Sequence, residues 1–192
     1  PELLELFGDK IKARAFAERH GVPLLPGTGG DTMLDEAKAF FASLGEGGAM
    51  MVKAVAGGGG RGMRAVRRQE DVGEAYERCR SEAQSAFGNP AVYVERLIDR
   101  ARHIEVQIIG DGKAVSHAWE RDCTLQRRNQ KIVEIAPSPT LAPNLRTAII
   151  GAARTLAKKA GYRSLGTFEF LVDADAPEEA PFFAFMEANP RV

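Results

Sequence analysis

An α+β fold is predicted, on three observations. Strand-like and helix-like segments mix without strict β–α–β alternation. Residues from about 24 to 98 read as strand, glycine loop, strand, helix, strand. The rest closes on a run of strands, one long helix and two further strands. The 192 residues carry 26 Lys plus Arg against 26 Asp plus Glu, with 44% hydrophobic and 27% charged residues. That is the make-up of a globular chain, of one domain or two small ones. Zero formal net charge excludes a general nucleic-acid binder, which would show a basic surplus. The apolar runs are far shorter than the ~20 residues of a membrane span. Cys79 and Cys123 are too few for a disulfide framework or a zinc site, so a reducing, cytosolic compartment is expected. No signal peptide or lipidation motif is read. With no initiator Met, and ending on Asn189-Pro190-Arg191-Val192, the chain reads as a fragment.

The elements follow in order. Asp9 is an N-cap for a helix through His20, which Gly21 and then Pro23 terminate. A second helix, about Thr32 to Leu44, places Leu34, Ala37, Phe40, Phe41 and Leu44 on one face. Ala49–Ala56 and Met63–Arg67 read as strands around the glycines, and Asp71–Phe87 as a helix closed by Gly88. Ala91–Ile98 is the next strand. His103–Ile109 and Ala114–Trp119 form a hairpin turned by Gly110-Asp111-Gly112. Residues 120–139 are charged and read as irregular. Pro143–Ala160 is a helix with Pro at its start and Gly161 at its end. Leu165–Val172 and Phe182–Glu187 are the last strands.

Gly57-Gly58-Gly59-Gly60-Arg61-Gly62-Met63 is the loudest local signal. Glycine runs let backbone N–H groups approach phosphate oxygens without a Cβ in the way. A Walker A loop is excluded because Met63, not Lys-Ser/Thr, follows Gly62. A dinucleotide fingerprint needs a helix next, and Met63–Arg67 reads as a strand. A hairpin closing over a nucleotide and a plain flexible hairpin tip both remain. Lys53 interrupts the apolar strand Met50-Met51-Val52-Lys53-Ala54-Val55 four residues before the loop, where a phosphate is its natural counter-charge. Glu95 interrupts the strand after the helix in the same way.

Glu169 and Glu187 each sit in an aromatic, apolar strand. If residues 173–181 close a hairpin, the two fall opposite each other, where like charges repel and burial penalises both. A divalent cation removes both problems. Asn189 shares the parity of Glu187 and adds a carbonyl oxygen, a donor set suited to Mg²⁺ or Mn²⁺. Two solvated glutamates on an outer sheet face are the bland alternative. His103, Glu105 and Gln107 alternate with Ile104, Val106 and Ile108, which gives one polar strand face, solvated or functional. Gln126-Arg127-Arg128-Asn129-Gln130-Lys131 is an exposed basic loop or a holder of phosphate or bicarbonate.

Taken together these segments resemble a known family. Lys53-Ala54, Gly57 to Met63, Tyr93-Val94-Glu95, Arg102-His103-Ile104-Glu105, Glu120-Arg121-Asp122-Cys123, Gln126-Arg127-Arg128, Gln130-Lys131, Gly166-Thr167-Phe168-Glu169-Phe170 and Glu187-Ala188-Asn189-Pro190-Arg191 are similar to the ATP-grasp region of biotin carboxylases. The similarity runs in order through essentially the whole chain. It is greatest to the biotin carboxylase part of acyl-CoA carboxylases, with pyruvate and urea carboxylases as relatives.

The resemblance implies an ATP-grasp fold, two α+β lobes with nucleotide between them. Residues 24–98 would be the small glycine-lid lobe, and 1–23 with 99–192 part of the large one. It implies an enzyme, a ligase in which ATP activates bicarbonate as carboxyphosphate and the carboxyl passes to biotin on a carrier protein. Lys10 and Lys53 would contact phosphate, and Gly58, Gly59, Gly60, Arg61, Gly62 and Met63 would close over it. Glu95, the Arg96 backbone and Ile98 would flank adenine, and His103 and Gln126 would approach the nucleotide. Glu169 and Glu187 would ligate Mg²⁺ with Asn189 nearby, while Lys131 and Arg191 would hold bicarbonate and carboxyphosphate. Carrier and carboxyltransferase domains or subunits, and a second copy of the chain, are the implied partners; nucleic acid and membrane are not. Asn129 stands where many members carry His, and Pro190 where some carry Thr. A Gln-Val-Glu-His segment, with the expected bicarbonate base, follows Arg191 in the family. Rival readings are another ATP-grasp ligase, a nucleotide-sensing module and a dinucleotide oxidoreductase.

Overall fold

The structure, a computed structural model, describes residues 2–56, 61–127, 130–177, 180 and 182–191. Gly57 to Gly60, Arg128 and Asn129 of the motifs above lie outside the described residues. The first half contains helices α1 (Glu2–Gly8), α2 (Lys10–Arg19) and α3 (Leu34–Ser43), strands β1 (Met50–Ala54) and β2 (Met63–Val66), helix α4 (Val72–Phe87) and strand β3 (Val92–Arg96). The second contains strands β4 (Ala101–Asp111), β5 (Val115–Asp122), β6 (Gln126–Arg127) and β7 (Gln130–Lys131), helix α5 (Pro143–Lys159) and strands β8 (Arg163–Asp173) and β9 (Phe183–Arg191). They form two compact units: an inserted unit, Leu25–Asp99, and a framing unit, Pro1–Leu24 with Arg100–Val192.

The inserted unit is a three-stranded antiparallel sheet in the order β2-β1-β3. Met50 and Val52 of β1 and Val92 and Val94 of β3 share one face, as the period-2 pleat demands, and with Ala37, Phe41, Tyr76 and Cys79 they make the core. Met51, Lys53, Tyr93 and Glu95 take the other face. Helix α3 starts two residues later than its sequence predicts. Thr32 is bound elsewhere: its N–H donates to Val92 O (2.7 Å) and its hydroxyl to Gly30 O (3.0 Å), so Glu36 caps from Met33 N (2.8 Å).

The framing unit is a four-stranded antiparallel sheet in the order β5-β4-β8-β9. Its apolar face supplies Ile104, Val106, Ile108, Phe168 and Phe170, which pack with Leu145, Ile149, Ala153 and Leu156 of α5 and with Phe7 of α1 and Ala13 of α2. Asp9 caps α2 as its sequence predicts, accepting from Ile11 N (2.9 Å) and Lys12 N (3.1 Å). Three features depart from expectation. Helix α1 lacks a sequence capping signal and forms anyway. The stretch read as irregular holds the end of β5 and the β6–β7 hairpin. Strand β9 runs past Glu187 to Arg191, so Asn189 and Arg191 are strand residues.

Candidate nucleotide and metal site

In the framing unit the polar face of the sheet is set by register. Glu105 pairs with Glu169 across β4–β8, and Glu169 with Glu187 across β8–β9. The expected opposition of the two glutamates is therefore met. Thr167 pairs with Asn189 and Leu165 with Arg191, which puts Glu187, Asn189 and Arg191 on one strand face. Arg121 of β5 pairs with Glu105. Three carboxylates thus stand in a row across three strands, β4, β8 and β9, two of them almost fully buried: Glu105 is 2% and Glu169 4% exposed. Such a row survives only if it is matched by cations or by donors.

The matching is dense. Lys131 arrives on β7 and donates to Glu105 Oε2 (2.5 Å) and Glu169 Oε1 (2.9 Å). Arg121 binds Glu105 Oε1 through two nitrogens. Asn189 Nδ2 donates to Glu169 Oε1 (2.7 Å) and Glu187 Oε1 (3.3 Å), and Lys10 Nζ lies 4.0 Å from Glu187 Oε2. His103 Nε2 is 2.5 Å from Glu169 Oε2. Gln126 Nε2 donates to Cys123 O (2.9 Å) and faces His103 Nδ1 at 2.7 Å. A backbone carbonyl only accepts, so the Gln126 amide nitrogen is fixed there and donates its second hydrogen to Nδ1. The proton of neutral His103 then sits on Nε2, directed at Glu169.

These contacts set the charges. Burial opposes the charge on Glu169, but the His103 hydrogen bond, with the hydrogen bond and charge of Lys131, outweighs it and holds its carboxyl below the usual range. Burial likewise opposes the Lys131 ammonium, and Glu105 and Glu169 overcome it to hold Lys131 above its ordinary value. Both stay ionised at neutral pH. Glu105, Cys123 and Glu134 also converge, with ligand atoms within 4.8 Å of one another. They do not suit a metal: both Glu105 oxygens are held by cations, and burial, followed by the Glu105 charge, pushes the Cys123 thiol up to about 12.

Glu169, Glu187 and Asn189 do suit one. A single nitrogen of Asn189 touches an oxygen of each carboxylate, so both oxygens border one small position. The set offers hard oxygen ligands, as Mg²⁺ and Mn²⁺ prefer.

In the inserted unit Lys53 and Glu95 form an ion pair, with 9% and 5% of their side chains exposed. Lys53 pairs with Tyr93 in register, which makes Glu95 its diagonal neighbour on the same face. Residues 26–28 run along the outer edge of β3: Thr28 N donates to Val94 O (2.9 Å) and Arg96 N to Pro26 O (2.8 Å). Only glycine allows that approach, because a Cβ at Gly27 would lie 2.6 Å from Val94 O. Gly62, at φ +65°, closes the glycine run, its carbonyl accepting from Ala54 N (2.7 Å) and from Cys79 Sγ (3.1 Å). Arg61 is exposed, Met63 half-buried and Ile98 buried.

The framing unit therefore gathers Lys10, His103, Gln126, Lys131, Glu169, Glu187 and Asn189, with Arg191 on the same face. The inserted unit holds Arg61, Gly62, Met63, Lys53, Glu95, Arg96 and Ile98. Sequence reasoning gave no role to Glu105 or Arg121. The alternation that marked Glu105 was legible, but its partners come from β5 and β7, whose register passes through a bulge between Val106 and Ile108 and an aperiodic stretch.

Residues 9–192 match the family described as carbamoyl-phosphate synthase L chain, ATP binding domain. The chain is 52% identical over 192 residues to the pyruvate carboxylase of Bacillus subtilis (strain 168), covering all of itself and 16% of that relative. It is similar over its whole length to a biotin carboxylase of Campylobacter jejuni solved as a nucleotide complex, with a TM-score of 0.91, 43% identity and 42% of that chain covered. It is also similar to the biotin carboxylase domain dimer of the Hydrogenobacter thermophilus 2-oxoglutarate carboxylase, solved with MgADP, ADP and bicarbonate: TM-score 0.88, 41% identity, 99% of this chain and 41% of that one. The preference for acyl-CoA carboxylases finds no support in these relatives: the two that name an acceptor name pyruvate and 2-oxoglutarate. With its α+β architecture and its paired carboxylates, the chain belongs to the carbamoyl-phosphate synthase L chain ATP-binding domain family, and shares the ATP-grasp fold of the biotin carboxylase regions to which it is similar.

Proposed function

We propose that this chain is the nucleotide- and metal-binding part of an enzyme that uses ATP and bicarbonate to carboxylate biotin on a carrier protein, with pyruvate as the final acceptor. The observation that carries the reading is the row Glu105–Glu169–Glu187, with Lys131 and Asn189 seated on it. It sets a hard-ion ligand set beside a lysine ammonium, which supports a metal and an anionic substrate binding side by side. A divalent metal bound by Glu169, Glu187 and Asn189 would neutralise phosphate charge. Lys131 and Arg191 bind the bicarbonate and carboxyphosphate anions, while His103 and Asn189 orient the Glu169 carboxylate. Lys10, Lys53 and the glycine run from Gly58 to Gly62 take the phosphates; Glu95, Arg96 and Ile98 take the base; Gln126 acts beside His103. Residues 24–98 serve as the small lobe and the remainder as part of the large one.

Pyruvate is preferred because of the Bacillus subtilis relative. The acceptor is chosen by a carboxyltransferase partner, so 2-oxoglutarate is the second reading, favoured by the Hydrogenobacter thermophilus domain. That domain is a dimer, and we assign this chain a self-associating parent as well. Among the described residues no helix is long and apolar enough to cross a membrane, and we assign a cytoplasmic setting.

The test uses the full-length protein with ATP, bicarbonate, Mg²⁺ and a biotinylated carrier, following ADP release and labelled carboxyl on pyruvate, 2-oxoglutarate and acetyl-CoA. Glu187→Gln should lower kcat by about 10²–10³-fold, as for the loss of one electrostatic contact to a transition state. Nucleotide binding without any carboxylation would remove the catalytic assignment. Carboxylation of acetyl-CoA alone would remove the 2-oxo-acid assignment.

A further inference from the structure

From the contacts of Lys131 we infer that it is a built-in counter-ion that competes with the metal for Glu169, so that metal loading releases its ammonium from that carboxylate. The inference rests on the metal reading above and concerns what the protein does before the ion arrives.

Glu169 has no idle oxygen. Oε1 accepts from Lys131 Nζ (2.9 Å) and Asn189 Nδ2 (2.7 Å), and Oε2 faces His103 Nε2 (2.5 Å). Oε1 is the oxygen linked through Asn189 to Glu187, and so the one facing the second carboxylate ligand. A divalent ion accepted by Oε1 and Glu187 meets two groups that oppose it. The Asn189 amide presents nitrogen, not oxygen, to the carboxylates and must turn over to ligate. The Lys131 ammonium, at hydrogen-bond distance from the same oxygen, repels a second cation strongly at this range.

Lys131 can yield without being stranded. Its second anchor, Glu105 Oε2 at 2.5 Å, belongs to a carboxylate outside the ligand set, and Arg121 holds the other Glu105 oxygen. A quarter of the Lys131 side chain is exposed, against 3% and 5% for Glu105 and Glu169. The mobile member of the trio is therefore the cation, and the carboxylates are the fixed frame. Each of Glu105, Glu169 and Glu187 already faces a cation, Arg121, Lys131 and Lys10 in turn. The row is held in place before any metal binds, which is what a preorganised site needs. Lys131 supplies that preorganisation at a cost in metal affinity.

The prediction runs against the usual expectation that removing a site residue weakens binding. In the full-length protein, Mn²⁺ binding is followed by electron spin resonance of the free ion, with Mn²⁺ alone and with Mn²⁺ plus ADP. Lys131→Met should bind Mn²⁺ about tenfold more tightly than the wild type, as for a repulsion softened by the quarter-exposed ammonium. Without metal it should melt at a lower temperature, and Mn²⁺ should raise that temperature by more than it does in the wild type. Lys131→Arg should restore the wild-type affinity. Glu105→Gln removes a negative charge and no ligand, and should weaken Mn²⁺ binding. If the Met variant does not fold, Lys131→Gln, which keeps a hydrogen-bond donor without charge, carries the same comparison. Unchanged or weaker Mn²⁺ binding on loss of the Lys131 charge, with Glu187→Gln abolishing binding, would overturn the competition. Absence of Mn²⁺ binding in the wild type and in the Lys131 variants, even with ADP, would instead overturn the metal reading beneath it.

Discussion

A methyl group at Gly166 would run into the Tyr162 hydroxyl, which donates to Leu165 O at 3.0 Å beside it. Tyr162 is fully buried and cannot swing away. Gly166→Ala should therefore cost about 1–3 kcal/mol, the range for overpacking a closed core. Tyr162→Phe in the same chain should recover part of it, as read from urea unfolding midpoints. The two thiols give a pH prediction. Burial, with Glu82 adding to it, pushes Cys79 up to about 11, and burial with Glu105 pushes Cys123 up to about 12. At pH 8 about one Cys79 in a thousand is thiolate, so alkylation followed by peptide mass spectrometry should leave both unmodified until the protein is denatured. Their folded values lie above the unfolded one. The stability they protect is complete below about pH 9 and is lost as pH rises through 11 and 12. At this scale the sequence showed the Glu169–Glu187 pair because one hairpin fixes it. It did not show Lys131 beside them, since no periodicity connects β7 to β8.

Strand β5 and helix α5 are joined through one carboxylate. Glu120 is fully buried, and its Oε1 accepts from Arg146 Nε (2.8 Å) and Ser138 N (3.1 Å), while an Arg146 terminal nitrogen donates to Ser138 O (2.9 Å). The clamp fastens the segment after β7 to both elements. Arg146→Met should destabilise by about 3–5 kcal/mol, because it leaves a buried charge without its partner. Adding Glu120→Gln should return most of that, and the difference between single and double variants in chemical denaturation measures the coupling. The other Glu120 oxygen, Oε2, has no partner among the described residues. Helices and strands with capping or alternation signals were legible here: Asp9 and Gly21 bracket α2, and Pro143 and Gly161 bracket α5. The pieces that escaped lack such signals. Helix α1 is held by packing Phe7 against Phe16 and Phe168. Strand β5 passes through Trp119 at φ +61°, a conformation no alternation rule anticipates.

The whole chain is one unit threaded into the sequence of another. Residues 25–99 carry a core of their own, built on Met50, Val52, Val72, Tyr76, Val92 and Val94. Expressed alone, they should unfold cooperatively by calorimetry or circular dichroism. The framing unit has no such independence in its first part. Helices α1 and α2 pack against β9, and Phe185 N donates to Pro23 O at 2.8 Å, so residues 2–24 wait for residues 183–191. A chain stopped at residue 170 should lack cooperative unfolding of 1–24 by hydrogen exchange while 25–99 stays protected. The α+β class was legible as a mix of element patterns, but the pairing of the two ends had no such signal and was implied only by the family resemblance, because pairing over so long a separation leaves no local mark. Closure over that distance also sets a timetable. At about 5–20 residues per second on the ribosome, the strand that covers α1 and α2 follows them by roughly 10–30 s. Late in that interval the inserted unit is complete, while Phe7 and its apolar neighbours, already off the ribosome, still lack the strands β8 and β9 they pack against. The moment of greatest aggregation risk for this chain is thus set by the pace of its synthesis.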